Sequence, residues 1–373
     1  MNLRRHIIRL AENISRKTYF LDGLKTRLGI SRFILKILVP PVSANDRLKI
    51  LSSLDKDYIT RKIQRVIQCG HIPSFWILLT HSMGDIVACE PIVRYLKQLV
   101  PDAKIGWIVR RPFRELLEFN PNINSIITVE NLAEGKDRVA MLAAESPNVI
   151  IVDCHFDGTS CSATNKIFRN TANPNVNIHT YYSIGSLLET YSLAAGLPPL
   201  TDAPTFHFGG NPAIPSGISK RRIVFHCHAS ERCRDWTDEK WNQLASKLTE
   251  TGRQIVEVGT KRVLNCRQNS IFDFTGYQDL QTIACIIRDA DVFVGIDSVF
   301  AHVANAVKTP SIVLLGKYRN FESYFPYTGA FAHSESFQVI HAPKGQPAAE
   351  IKVETVFAAI QKMLSLTASV PTA

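Results

Sequence analysis

Phe75-Trp76-Ile77-Leu78-Leu79-Thr80-His81-Ser82-Met83-Gly84-Asp85 decides the fold. Phe75–His81 is an apolar run with the length of a buried strand, and Asp85–Leu99 then takes up helical spacing. The same change of period recurs downstream. Strands are expected at 104–109, 125–130 and 149–155, with helical segments at 112–119, 134–145 and 183–195 between and after them. Apolar strands alternating with helices describe a parallel sheet covered on both faces. Residues 196–221 are rich in Pro and Gly and read as a linker. A second alternation follows, with strands at 222–228, 254–259, 270–275, 292–296 and 311–316. Its helices are expected at 238–251, 280–288, 299–307 and 348–366. The fold class is therefore α/β: two doubly wound lobes, with a cleft where the carboxyl ends of both sheets meet.

Three stretches carry chemistry. In Ser82-Met83-Gly84-Asp85, Gly84 is expected to permit a tight turn, and amides at the helix start favour anionic or hydroxyl oxygens. Asp85 is then a carboxylate at the cleft floor, placed as a general base for an acceptor hydroxyl, or else a residue that merely caps the helix. Gly295-Ile296-Asp297-Ser298-Val299-Phe300-Ala301-His302 repeats the strand-to-helix pattern. Amides near Ser298–Phe300 would face a diphosphate, and His302 lies about one and a half turns further on, where it could reach the same anion. A capping Asp and a core His explain the spacing equally well. In His226-Cys227-His228-Ala229-Ser230-Glu231-Arg232-Cys233-Arg234, the arginines stand at a strand's carboxyl end and would stabilise a departing diphosphate. His226, His228 and Cys233 do not complete a metal-ligand spacing, so no metal is expected.

Of 373 residues, 45% are hydrophobic and 20% charged, which excludes a disordered chain, a collagen and a coiled-coil rod. The net charge of +10 sits entirely on residues 1–70, with 15 Lys and Arg against 5 Asp and Glu. A neutral body with one basic end suits a localised anionic partner and not nucleic acid. Helices are expected over 2–21, 24–39 and 45–68. They would lie on an anionic membrane surface through residues 1–40, or pack on the body or on a second subunit. No run approaches the roughly 18 apolar residues of a membrane span, and no clean apolar leader follows the basic start. The eight Cys contain no C-x-x-C pair and read as reduced thiols of a cytosolic enzyme.

From about Phe75 to Pro326 the chain resembles the heptosyltransferase group of glycosyltransferase family nine. The resemblance rests on an ordered series: Ser82–Asp85, Pro91–Leu96, Pro101–Ile105, Phe113–Pro121, Gly295–His302 and Thr309–Gly316. It implies the GT-B fold, two Rossmann-like domains facing across a cleft: an acceptor domain over 71–210 and a nucleotide-sugar domain over 218–345. A helical extension over 1–70 and a helix and tail over 346–373 complete the expected organisation. It also implies inverting sugar transfer from a nucleotide-diphospho-sugar, ADP-heptose being the foremost candidate, without metal or other cofactor. The acceptor would be a lipopolysaccharide or another cell-envelope glycan at the inner face of the cell membrane.

By position, Asp85 matches the family's base, and Ser82, Met83 and Gly84 the acceptor side. Ser230, Arg234, Asp297, Ser298, Val299 and His302 match the donor diphosphate site, and Thr275, Gly276 and Tyr277 the segment beside the nucleoside. Three departures stand out: Val299 replaces a Gly, Arg234 replaces a Lys, and Val258-Gly259-Thr260-Lys261 lacks the downstream Glu of many members. A transferase with another donor acting on protein or another glycan, or a catalytically weak nucleotide-sugar scaffold, are the alternatives. An oligomer is compatible with all of them.

Overall fold

The structure is a computed structural model. It describes residues 51–368 apart from 53, 56, 211, 213, 215, 220–221, 266–269, 277–278, 319–323 and 334. The expected helices over 2–21 and 24–39, and the first six residues of the one over 45–68, therefore lie outside the described residues, as does Tyr277.

A first parallel sheet is formed by β1 (Ser74–Leu78), β2 (Lys104–Arg110), β3 (Ser125–Val129) and β4 (Val149–Asp153), in the order β3-β2-β1-β4. A small hairpin, β5 (Ser160–Cys161) and β6 (Lys166–Ile167), follows it. The second parallel sheet holds β7 (Arg222–His226), β8 (Gln254–Gly259), β9 (Ile271–Thr275), β10 (Val292–Ile296), β11 (Ser311–Leu315) and β12 (Phe337–His341). Its order is β12-β11-β10-β7-β8-β9. In both sheets the first strand neighbours the fourth, so chain direction across the sheet reverses between β1 and β4 and between β7 and β10. Open α/β sheets bind ligands beyond the carboxyl ends of the strands at that reversal.

Helices of the first lobe are α1 (Tyr58–Gln68), α2 (Met83–Ala88), α3 (Pro91–Leu99), α4 (Leu132–Glu145), α5 (Tyr181–Ile184) and α6 (Leu187–Ala194). Those of the second are α7 (Asp238–Thr249), α8 (Leu280–Arg288), α9 (Val299–Ala306), α10 (Ala330–His333) and α11 (Val353–Ala368). The single helix expected over 85–99 is two helices. Pro91 has no N–H to continue α2 and instead opens α3 as its first residue. Helix α6 starts late because Ser186 and Glu189 form a reciprocal capping box. The segment expected as a helix over 112–119 is a 3-10 turn, Arg111–Leu116.

Helix α1 buries Ile59, Ile63 and Val66 in the core of the first lobe, each contributing about 1.5–3 kcal/mol. Gly196, at φ +73°, faces the Tyr58 ring so closely that a Cβ would meet it at 2.4 Å. The described part of the basic extension packs on the body; residues 1–40, for which a membrane surface is expected, lie outside the described residues. One hydrophobic cluster continues across both lobes, joining Ile86 and Val87 of α2 and Leu188 of α6 to Ala301 and Ala304 of α9. Buried Glu90 ties the connecting segment down, accepting from Thr205 N at 3.0 Å and from Asn120 Nδ2 at 3.3 Å. Among the described residues no helix is long and apolar enough to cross a membrane.

Candidate active site

The loops beyond β1, β4, β7 and β10 enclose one cavity of about 860 Å³. Its walls come from both lobes. Ser82, Met83, Gly84 and Asp85 line one side and Ser230, Arg234, Asp297, Ser298, Val299 and His302 the other. The structure thus brings together the expected acceptor and diphosphate residues. Thr275 and Gly276 do not line this cavity; Gly276 donates its N–H to Gly259 O, and Gly259 is the wall residue.

Asp85 stands on the first turn of α2 with its carboxyl reached from the cavity but surrounded by protein. Tyr191 Oη donates to Asp85 Oδ2 at 2.6 Å. Burial pushes the Asp85 carboxyl up to about 7. The Tyr191 bond, the charge of Arg234 and the Ser82 hydroxyl oppose that rise, and Asp297 adds to it. A carboxyl poised near neutrality can take a proton from a substrate hydroxyl.

The turn expected at Gly84 lies elsewhere. Ser82 takes the left-handed backbone, at φ 60°, and Gly84 is not in that region. What Gly84 supplies is room: a Cβ there would lie 3.1 Å from His302 Cδ2 and 3.5 Å from Val299 Cα. The first turns of α2 and α9 meet at this point, and Gly84 leaves room for the His302 ring and for the α9 backbone at Val299. Gly84→Val is expected to force these two helix starts apart, lowering stability by about 1–3 kcal/mol and abolishing ligand binding in the cavity. Urea unfolding together with ADP titration measures both.

On the opposite wall Arg234 Nη1 lies 3.0 Å from Asp297 Oδ2, an ion pair by distance without the alignment of a directed hydrogen bond. Asp297 is 2% exposed and also accepts from Tyr327 Oη at 3.2 Å. Its carboxylate faces Arg234 and Tyr327, which makes it the group that orients Arg234. The guanidinium lies over the Tyr318 ring at 4.1 Å, and Tyr318 Oη donates to Glu231 Oε1 at 3.1 Å. Arg232 is exposed and does not line the cavity. Ser298 is the N-cap of α9, yet its hydroxyl makes no cap bond and is buried without a partner among the described residues. The helix start therefore presents unused donors to the cavity.

Burial holds the His302 imidazole down to about 4, against the pull of Asp297 and with the push of Arg234. His302 is thus neutral, a hydrogen-bonding group and not the cation that an anion-binding His would suggest. His226 and His228 are separated in role as well. His228 Nδ1 pairs with Asp235 Oδ2 at 2.8 Å, while the buried His226 ring packs edge-on against Phe300. Cys233 is exposed, and among the described residues no three His, Cys, Asp or Glu side chains converge as a metal site.

Residues 201–346 match the family model of glycosyltransferase family 9 (heptosyltransferase). Over those residues the chain is similar to the heptosyltransferases of glycosyltransferase family 9. Lipopolysaccharide heptosyltransferase 3 of Escherichia coli is 20% identical over 279 residues, covering 62% of this chain and 80% of that protein. Heptosyltransferase WaaC of E. coli, solved with ADP-2-deoxy-2-fluoro heptose, is 18% identical with a TM-score of 0.55, over 78% of this chain and 99% of that one. The ADP-heptose lps heptosyltransferase II of E. coli is 17% identical with a TM-score of 0.58, over 79% and 100%. The two structures share the fold of this chain.

Several cavity residues of this chain escape sequence reasoning. Tyr191 is 106 residues from Asp85, inside an apolar helix that reads as core. Phe156, Tyr181 and Tyr182 make an aromatic wall beside it: Phe156 stacks on Tyr181 at 5.0 Å and on Tyr191 at 4.5 Å. Tyr318 follows β11 with no motif around it. Only its place beyond a strand's carboxyl end could have drawn attention to it.

Proposed function

We propose that this glycosyltransferase moves a heptose-like sugar from a nucleoside-diphosphate donor, ADP-heptose foremost, to a hydroxyl of lipopolysaccharide or a related cell-envelope glycan. Transfer would invert the anomeric carbon and require no bound metal. The observation that carries this reading is a carboxyl poised near neutrality on one wall of a cavity, with a fixed guanidinium and an open helix start on the other. The matched family and the named substrates of the solved relatives support the choice of donor.

The donor diphosphate would lie against the start of α9, taking hydrogen bonds from the Ser298 hydroxyl and the first amides of the helix. Arg234, oriented by Asp297, would neutralise the charge that grows on the leaving group. The acceptor hydroxyl oxygen attacks the anomeric carbon from the face opposite the diphosphate. Its proton passes to Asp85, the new glycosidic bond forms, and the carbon–oxygen bond to the diphosphate breaks. Each preorganised donor of this kind lowers a barrier by about 3–4 kcal/mol, and a positioned base contributes about 10²–10⁴-fold. Tyr191 holds Asp85 Oδ2 and so fixes the carboxyl for the incoming hydroxyl. Residues 1–40, with their basic charge, would keep the enzyme at an anionic membrane face on the cytoplasmic side.

The test is incubation with ADP-heptose and a heptose-deficient lipopolysaccharide in excess EDTA. Transfer of heptose with release of ADP is the expected result. Failure to consume ADP-heptose, or a strict dependence on added metal, contradicts the reading.

A further inference from the structure

A file of polar groups runs from the outer side of the first sheet to the cavity. Lys136 pairs with Asp153. Asp153 Oδ1 lies 3.0 Å from His155 Nδ1, and His155 Nε2 lies 3.0 Å from Thr80 Oγ1. Thr80 Oγ1 in turn lies 3.3 Å from His81 Nδ1, and His81 lines the cavity. Thr80 and His155 are buried.

The protons along this file can be placed from the end farther from the cavity, at Asp153. Burial would raise the Asp153 carboxyl, but the hydrogen bond from His155 and the charge of Lys136 oppose that and hold it at about 2. An ionised carboxylate only accepts, so His155 carries its proton on Nδ1. The backbone N–H of Thr80 points at His155 Nε2 at 3.4 Å. An amide can only donate, so Nε2 is bare and His155 is neutral. The Thr80 hydroxyl then gives its one proton to that nitrogen and accepts from His81 Nδ1–H. With Nδ1 committed, His81 has one nitrogen left for a ligand: Nε2, carrying a lone pair.

We propose that His81 is a specificity-determining residue of the acceptor subsite, its Nε2 accepting a hydrogen bond from a hydroxyl of the receiving sugar, and that Asp153, His155 and Thr80 lock the tautomer this requires. The proposal rests on the reading of Asp85 as the base, because His81 stands in the same β1–α2 turn. A bare nitrogen selects for O–H and against phosphate or carboxylate, which bring no proton. Burial holds the His81 imidazole down to about 3, so the lone pair persists across physiological pH. The wall of Phe156, Tyr181, Tyr182 and Tyr191 offers ring faces to the apolar C–H face of the same sugar.

Long-range proton–nitrogen spectra of the full chain labelled with ¹⁵N-histidine test it. The His81 signals, assigned by their loss in His81→Gln, are expected to show Nδ1–H and bare Nε2, unchanged from about pH 5.5 to 8. Adding ADP and an excess of a methyl heptoside is expected to move the Nε2 resonance and leave Nδ1 in place. Thr80→Val, which removes the link, is expected to give a mixture of tautomers. A proton on Nε2, titration near the ordinary histidine value of about 6.5, or an Nε2 resonance unmoved by the heptoside overturns the proposal. Asp85→Asn keeps the two readings apart. Loss of transfer with the His81 signature intact supports both, and full transfer with that signature intact removes the base alone.

Discussion

Replacing Asp85 by Asn is expected to slow sugar transfer by about 10²–10⁴-fold while leaving ADP binding intact. The amide keeps the shape of the carboxyl and can still meet Tyr191 Oη, but it cannot take a proton. The wild-type pH profile carries the same information. Asp85 must be ionised to act, and its carboxyl sits at about 7. Below that value kcat/KM should fall by about tenfold per pH unit, and Asp85→Asn should lose this limb. Stability responds in a defined direction as well. The folded-state value is raised from 3.8 to about 7, so the protonated carboxyl stabilises the fold below pH 3.8. That contribution disappears as pH rises through about 7. Asp85→Asn should therefore show a flatter dependence of its denaturant midpoint on pH across this window, and should be the more stable protein above it. A rate within twofold of wild type would remove the base from the mechanism.

Arg234→Ala should have two separable consequences. Asp297 is 2% exposed and faces Arg234, so removing the cation leaves a buried carboxylate unpaired. Breaking a buried pair in this way costs about 3–5 kcal/mol of stability. The variant should also bind ADP about 10–100-fold more weakly, the worth of charge-assisted hydrogen bonds to phosphate. Adding Asp297→Asn to Arg234→Ala should restore much of the stability and none of the affinity. Chemical denaturation and calorimetric ADP titration read the two effects independently. Recovery of ADP binding in the double variant would show that Arg234 does no more than satisfy Asp297.

The comparison of sequence with structure follows the range of each interaction. Strand and helix periodicity is local, and so the two alternations and the strand-to-helix turns at Asp85 and Asp297 are legible in the chain itself. Pairing order, the two reversals and the common cavity follow from those turns, because chain direction in a parallel sheet puts every carboxyl end on one edge. What the sequence conceals is long-range. Tyr191 looks like any aromatic of a buried helix until α6 is laid beside α2. Gly84 reads as a turn residue because glycine so often is one. Its contact with α9 becomes visible only when the two lobes are put together, and the left-handed residue is Ser82. The charge of His302 is another such case: spacing suggested an anion partner, whereas burial between two helix starts keeps it neutral. The chain from Asp153 through His155 and Thr80 to His81 joins two neighbouring strands, so no single motif contains it.

The central claim is that the second lobe grips the donor diphosphate where the first lobe's carboxyl can serve the attacking hydroxyl. A crystal structure of the complex with ADP tests it most directly. The account places diphosphate oxygens within about 3 Å of Arg234 and the Ser298 hydroxyl or the first amides of α9, with the Asp85 carboxyl across the cavity on the open side of the β-phosphate. ADP bound outside the cavity, or inside it with the diphosphate turned away from Arg234 and the α9 start, contradicts it.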